Sequence, residues 1–533
     1  MILLLLRLIS LFSLWQSAVW QSAIAQEIAP ERLALEALLQ ERWVEARTDN
    51  FHVISQLSEI KTERMALDLE RWREAAITLL GLPASAARDP LTAYVYLFAD
   101  EAALRVFTDG AENAYFVSSP RAAYLAIAES ASALDLAQHH VAHYLINNQP
   151  IGVPRWYEEG MAHYLTRLNL QSGVAGLIPL RPENLDLAIS VDDLLGIDDL
   201  LYNDSALSSP RLIQVGNLKA GLFMHFLLHA HELEGFADRR GELQNYVALL
   251  QQGRSERFAF DQAFSGSLNR LESEYLRYLA AAIPTADQER NLLTLPSRDE
   301  PDAAEVEREA LVMGLGELAL HGGRLAQAQH LFGSLVEAQT SIGRAYSGFA
   351  DAVRMAAVET AESSPADVPA DLRSYYLRAL TIQGSDPQML LDYGQYLDTE
   401  LASCERNYTA GERVEMAEAM RNAFTTALSR QPESAEVNLS YARLFLLPGQ
   451  NWQDGEPYQR NAFERLPVDT YVMEQTIDYA IAAGRFEDAQ GFIARLARPM
   501  HFWGVPEWVT DLRHKLESAQ RGQTFDRCAT PAP

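Results

Sequence analysis

The sequence predicts an α+β region followed by an all-α helical array, on three observations. Strand-like runs rich in Val, Ile, Tyr and Leu are confined to residues 43–128. Helical periodicity dominates the chain beyond them. After residue 305, segments resemble one another, the mark of a repeat architecture. The 533 residues allow several domains, and 48% apolar with 22% charged residues excludes wholesale disorder and a collagen-like fibre. Lys and Arg number 44 against 72 Asp and Glu, a net charge of −28. That balance excludes an electrostatic nucleic-acid binder and disfavours anionic lipid surfaces.

Met1 to Ala25 reads as a secretory signal, with Arg7, an apolar stretch from Leu8 to Trp20, and small residues ending at Ala25. The stretch is shorter than the roughly 20 residues of a spanning helix, so no transmembrane anchor is expected after cleavage, and the mature chain is expected to be exported, to the periplasm or medium. Cys404 and Cys528 lack zinc-type spacing and can form at most one disulfide.

Residues 26–285 form the expected first domain. Trp43 to Ser55 predicts two strands around Asp49-Asn50, and Glu59 to Leu80 a helix stopped by Gly81. Thr92 to Phe98 and Ala122 to Ala128 predict strands. Leu134 to Ile146 and Trp156 to Leu168 predict two helices separated by a loop with two prolines and a glycine. Residues 171–212 are turn-rich and predict a surface excursion. Leu218 to His229, Gly241 to Gln252 and Leu268 to Ala282 predict amphipathic helices.

A charged linker is expected over 286–304, helical repeats over 305–520 and a tail over 521–533. Glu317 to Gln329 aligns with Asp478 to Gln490, sharing Ala, Gly-Arg and Ala-Gln at equal offsets. Helices ending at Asp386-Pro387 and Gln431-Pro432 are each followed by another helix, the grammar of a tetratricopeptide-like solenoid with irregular spacing. Such an array is expected to fold alone from about Glu305 and to bind a peptide or protein of basic or apolar character.

The chemistry concentrates between His139 and His163. Four of the 12 histidines fall there, where an even scatter over 533 residues would place fewer than one. His139 and His143 share a helical face and can hold one metal ion between them. Glu158-Glu159-Gly160 opens the next helix and offers a carboxylate, which is how a His₂Glu zinc site with an open fourth position is assembled. An isolated HxxxH is a common accident, and both glutamates also suit a helix start through the dipole alone, the reading expected for Glu158. His225, His229 and His231 read as core or surface histidines. Trp156 and Tyr157 read as packing residues.

The run HHVAHYLINNQPIGVPRWYEEGMAHYL resembles the peptidase-MA-like group of gluzincin metallopeptidases, exported bacterial proteins that often carry C-terminal tetratricopeptide repeats. The resemblance covers roughly residues 43–279. It implies a gluzincin-like fold, Zn²⁺ on His139, His143 and Glu159, and an edge strand at Ala122 to Ala128 along which an extended peptide docks. The family pattern is HExxH and W-x-x-E-G-x-A-E. His140 stands at the general-base glutamate's position, and His163 where a second carboxylate would support a ligand histidine. Asn217 aligns with a tyrosine that steadies the oxyanion. These departures imply peptide hydrolysis that is weak or lost, or an inactive peptide-binding or protein-binding scaffold.

Overall fold

The computed structural model describes residues 32–81, 92–108, 114–147, 153–171, 173–177, 195–203, 206–207, 209–252, 254–282, 290–359, 372–402, 408–467, 469–497 and 507–523. The expected signal segment and both cysteines lie outside them. The expected strands form: β1 (Val44–Arg47), β2 (Phe51–Ser55), β3 (Ala93–Phe98) and β5 (Ala123–Ala128), with β4 (Ala114–Ser118) in addition. A small second sheet comprises β6 (Leu168–Gln171), β7 (Val174–Leu177) and β8 (Arg290–Thr294), and β9 (Ala304–Glu305) returns to the first. The large sheet runs β4-β5-β3-β2-β1-β9. β2, β3 and β5 are parallel, and β1, β4 and β9 are antiparallel to their neighbours.

The helices are α1 (32–38), α2 (Glu59–Leu80), α3 (Glu101–Leu104), α4 (Ala133–Asn147), α5 (Arg155–Leu165), α6 (Ile197–Tyr202), α7 (Pro210–His229), α8 (Arg240–Gln251), α9 (Glu256–Ala263) and α10 (Leu268–Ala282). α2 spans the expected residues because Ser58 accepts from the Lys61 N–H and Gly81 adopts a φ of 64° at its end. α7 begins eight residues earlier than its apolar stripe predicts, at Pro210 behind the Ser209 cap.

From Arg308 the described residues are helical: α11 (Arg308–His321), α12 (Leu325–Glu337), α13 (Gly343–Glu359), α14 (Leu372–Gln383), α15 (Pro387–Ala402), α16 (Ala410–Arg430), α17 (Ala435–Arg443), α18 (Trp452–Arg465), α19 (Thr470–Ala482), α20 (Phe486–Leu496) and α21 (Glu507–Gln520). The two aligned Gly-Arg segments take one conformation, with Gly323 at φ 72° and Gly484 at φ 71°. In each the arginine N–H donates to the carbonyl five residues back at 2.8 Å.

Alternation along the parallel strands divides the core. Val53, Val95, Leu125 and Ile127 face Trp72 of α2, Val141 of α4, Trp156 of α5 and Phe223 of α7. Ile54, Tyr96, Phe98 and Ala126 face Leu35 and Leu38 of α1, Leu311 and Leu315 of α11, and Leu331 of α12. The expectation that the array folds alone from Glu305 is therefore corrected: its first two helices are the sheet's rear layer, and a chain starting there would expose that face. Across the expected linker, β8 pairs with β7, Arg298 reaches Glu74 at 3.1 Å, and β9 pairs with β1. No helix among the described residues is long and apolar enough to cross a membrane.

The array carries one buried acid whose protonation couples to stability. Asp469 caps α19, its Oδ1 accepting from the Tyr471 and Val472 N–H groups at 3.0 and 3.1 Å, while Oδ2 has no hydrogen-bond partner among the described residues. Burial, reinforced by nearby Glu436, pushes its pKa up to about 7 against the opposing backbone N–H groups. The folded state thus keeps a proton that the unfolded chain releases near pH 4. Its stabilising contribution is complete below that pH and is lost as pH rises to about 7. Asp469→Asn is expected to raise stability at pH 8 by on the order of 3 kcal/mol, with the gain shrinking steadily toward pH 5. Urea unfolding at both pH values checks this, and an equal effect at the two would refute it.

Candidate metal centre

His139 and His143 lie one turn apart on α4 and project toward α5, as the i, i+4 spacing requires. α5 starts behind Pro154, whose extended φ of −69° suits the N-cap position, and so places Glu158 and Glu159 in and just after the first turn. Two glycines let α5 press against α7. A Cβ on Gly160 would sit 2.7 Å from the Ala220 carbonyl oxygen, and one on Gly221 would sit 2.7 Å from the His163 Cβ. The Trp72 indole N–H donates to the Leu165 carbonyl at 2.9 Å and ties the end of α5 to α2.

This packing brings the three expected ligands together. The Nε2 atoms of His139 and His143 are 3.2 Å apart, and the Glu159 Oε2 lies 4.0 and 3.6 Å from them. A tetrahedral zinc ion with bonds of about 2.0–2.1 Å sets its ligand atoms roughly 3.3 Å apart. The triangle therefore fits such an ion with small side-chain adjustments. Glu159 is fully buried. Among the described residues these three are the group of His, Cys, Asp and Glu side chains able to hold a metal ion.

Glu158 departs from the expected solvated role. It is buried, and its Oε1 accepts from His143 Nδ1 at 2.9 Å. The carboxylate fixes the ring so that Nε2 faces the other two ligand atoms. Burial opposes a charge on the His143 ring, but Glu159 and Glu158 outweigh it and push its pKa up to about 10. The two carboxylates thus favour a positive charge on the His143 ring.

The remaining expected residues surround this triangle. The His140 ring projects to the β4 side, parallel to Phe116 at 6.3 Å between centroids and edge-on to His139 at 6.0 Å. His163 packs beside His139, centroids 4.8 Å apart. Asn217 is buried and accepts from Arg155 at the start of α5. His225 and His229 are core residues bonded to the Tyr278 and Tyr164 hydroxyls at 2.7 and 3.0 Å. The expected edge strand needs correction, because β5 lies between β3 and β4 and is buried along its length. β4 is the edge. Its Tyr115-Phe116-Val117 run carries the β signal, but apolar partners on both faces erase the polar alternation that marks an edge.

Glu158→Ala is expected to weaken metal affinity by about 10–100-fold while leaving the stoichiometry at saturation unchanged. Competition titration against a chelator checks this, and an unchanged affinity would deny Glu158 its supporting role.

The arrangement has to be read from its own geometry: no family model matches the chain, and neither a curated protein nor a solved structure matches it.

Proposed function

We propose that the chain is an exported zinc metallopeptidase-like protein of gluzincin-like fold, with peptide hydrolysis weak or lost and a tetratricopeptide-like array behind it. The convergence of His139, His143 and Glu159 within one small triangle, with Glu158 behind His143, carries this reading. The resemblance of HHVAH and of the Trp156 to Gly160 element to that family supports it. His139, His143 and Glu159 would hold a zinc ion, which would supply Lewis acidity toward a carbonyl.

What this chain lacks is the carboxylate that moves the proton. A glutamate at position 140 would take a proton from the attacking water and return it to the leaving amine, worth about 10²–10⁴-fold. An imidazole beside a dication is a weak base, because the positive charge disfavours its protonation. The ring of His140 also lies along Phe116, within the contact between α4 and β4. That placement favours the second reading, an inactive scaffold binding an extended peptide or a protein near β4 or on the helices of the array.

The test is metal content followed by restoration. Purified wild type is expected to retain about one zinc per chain, and His143→Ala none, because two ligands lack chelate strength. Stoichiometric zinc in His143→Ala, or its absence from wild type, would overturn the metal reading. His140→Glu is expected to create or raise hydrolysis of a mixed peptide library by roughly 10²–10⁴-fold. A zinc-loaded His140→Glu protein without activity would leave the scaffold reading.

A further inference from the structure

Arg121 occupies the turn between β4 and β5, and its side chain, 16% exposed, reaches in among residues of the array. Its Nε donates to the Glu436 Oε1 of α17 at 2.9 Å, and its Nη2 to the Asp392 Oδ1 of α15 at 2.6 Å. Gln395 accepts from the same nitrogen at 3.4 Å. Asp392 and Glu436 are only 1% and 5% exposed. Asp392 also accepts from Arg344 of α13 at 3.0 Å, and Arg344 reaches Glu317 of α11 at 2.7 Å. One hairpin side chain thus links into a chain of alternating charges through four helices.

The strand leading to this turn is held on both faces. Tyr115 donates from its hydroxyl to the Leu318 carbonyl of α11 at 3.3 Å and rests on Gly322, where a Cβ would lie 2.7 Å from that hydroxyl. Phe116 on the opposite face contacts His140 and Tyr144 of α4, with ring centroids 6.3 and 5.8 Å apart. β4 therefore touches both the array and the helix bearing His139 and His143.

The geometry points to Arg121 as a positioning residue: it fastens the array to the β4–β5 turn and so sets where the sheet's edge strand stands relative to the metal-site helix. An edge strand pairs on one side only and needs support elsewhere to hold its register. A guanidinium reaching two buried carboxylates through separate nitrogens gives that support with fixed direction, which a lysine cannot reproduce. The array then serves as a mount for the edge strand. This goes beyond the metal reading and holds whether or not a peptide is cleaved.

Backbone hydrogen exchange on the full chain tests it, with zinc content and helical circular dichroism measured in parallel. In Arg121→Gln, exchange over residues 114–118 is expected to accelerate at least about tenfold, with protection of α2 and of the α5–α7 contact unchanged. Arg121→Lys is expected to recover part of that protection, since one ammonium reaches one of the two acids well. Arg121→Gln also strands two buried carboxylates, so a triple variant, Arg121→Met with Asp392→Asn and Glu436→Gln, removes all three charges together and decides the matter if the single variant fails to fold. The same selective loosening of β4 is expected in it. Wild-type exchange at β4 in a folded variant, or acceleration spread evenly over the whole chain, would overturn the assignment.

Discussion

Parallel strands that are apolar on both sides must be covered on both sides, and this constraint organises the molecule. β2 and β5 are buried along their whole lengths. One layer of helices therefore lies in front of the sheet and another behind. α2, α4, α5 and α7 form the front layer, and the triangle of His139, His143 and Glu159 lies within it. The rear layer comes from α1 and from α11 and α12, which belong to the array by sequence. The helical region is thus joined to the strands through a shared core, and the sheet is the common wall of both.

The site inherits its order from this wall. α4 is held against the sheet by Val141, Ala142 and Leu145, which leaves His139 and His143 on its far side. α5 reaches them because Gly160 and Gly221 allow backbone-distance contact with α7. A methyl group at either position would meet an atom 2.7 Å away, and the shift needed to relieve it would move Glu159. Burying Glu159 without a compensating positive charge would be costly, and the positive charge favoured on His143 supplies it. A divalent ion in the same place would do so more strongly. Ligand carboxylate, supporting carboxylate and histidine pair therefore form one electrostatic unit.

The amphipathic helices were legible because one face of each meets water and the other the core, as in α2 and α10. The grouping of His139, His143 and Glu159 was legible because its spacing is local within two helices. β4 was not, since apolar partners on both of its faces leave no alternation to detect. Glu158 and Glu159 are adjacent acids in a helix start, and either satisfies the dipole. The family resemblance singled out Glu159, and the position of α4 is what sets Glu158 against His143 Nδ1. Arg121 carries no local signal at all, because its two carboxylates lie 271 and 315 residues downstream.

The net charge of −28 calls for a different reading in this light. A surplus of acids suggests a surface for basic partners, yet Asp392, Glu436, Glu317 and Asp351 are engaged from within by Arg121 and Arg344. Displacing a guanidinium that bridges two buried acids means desolvating the incoming cation while opening the β4–β5 turn. An external lysine or arginine gains too little from one exchange of partners to cover both costs. A basic peptide that docked on the array would therefore have to engage exposed acids elsewhere, such as Glu433. The internal acids instead lie where the array meets the sheet, so these four charges are engaged within the chain's own architecture.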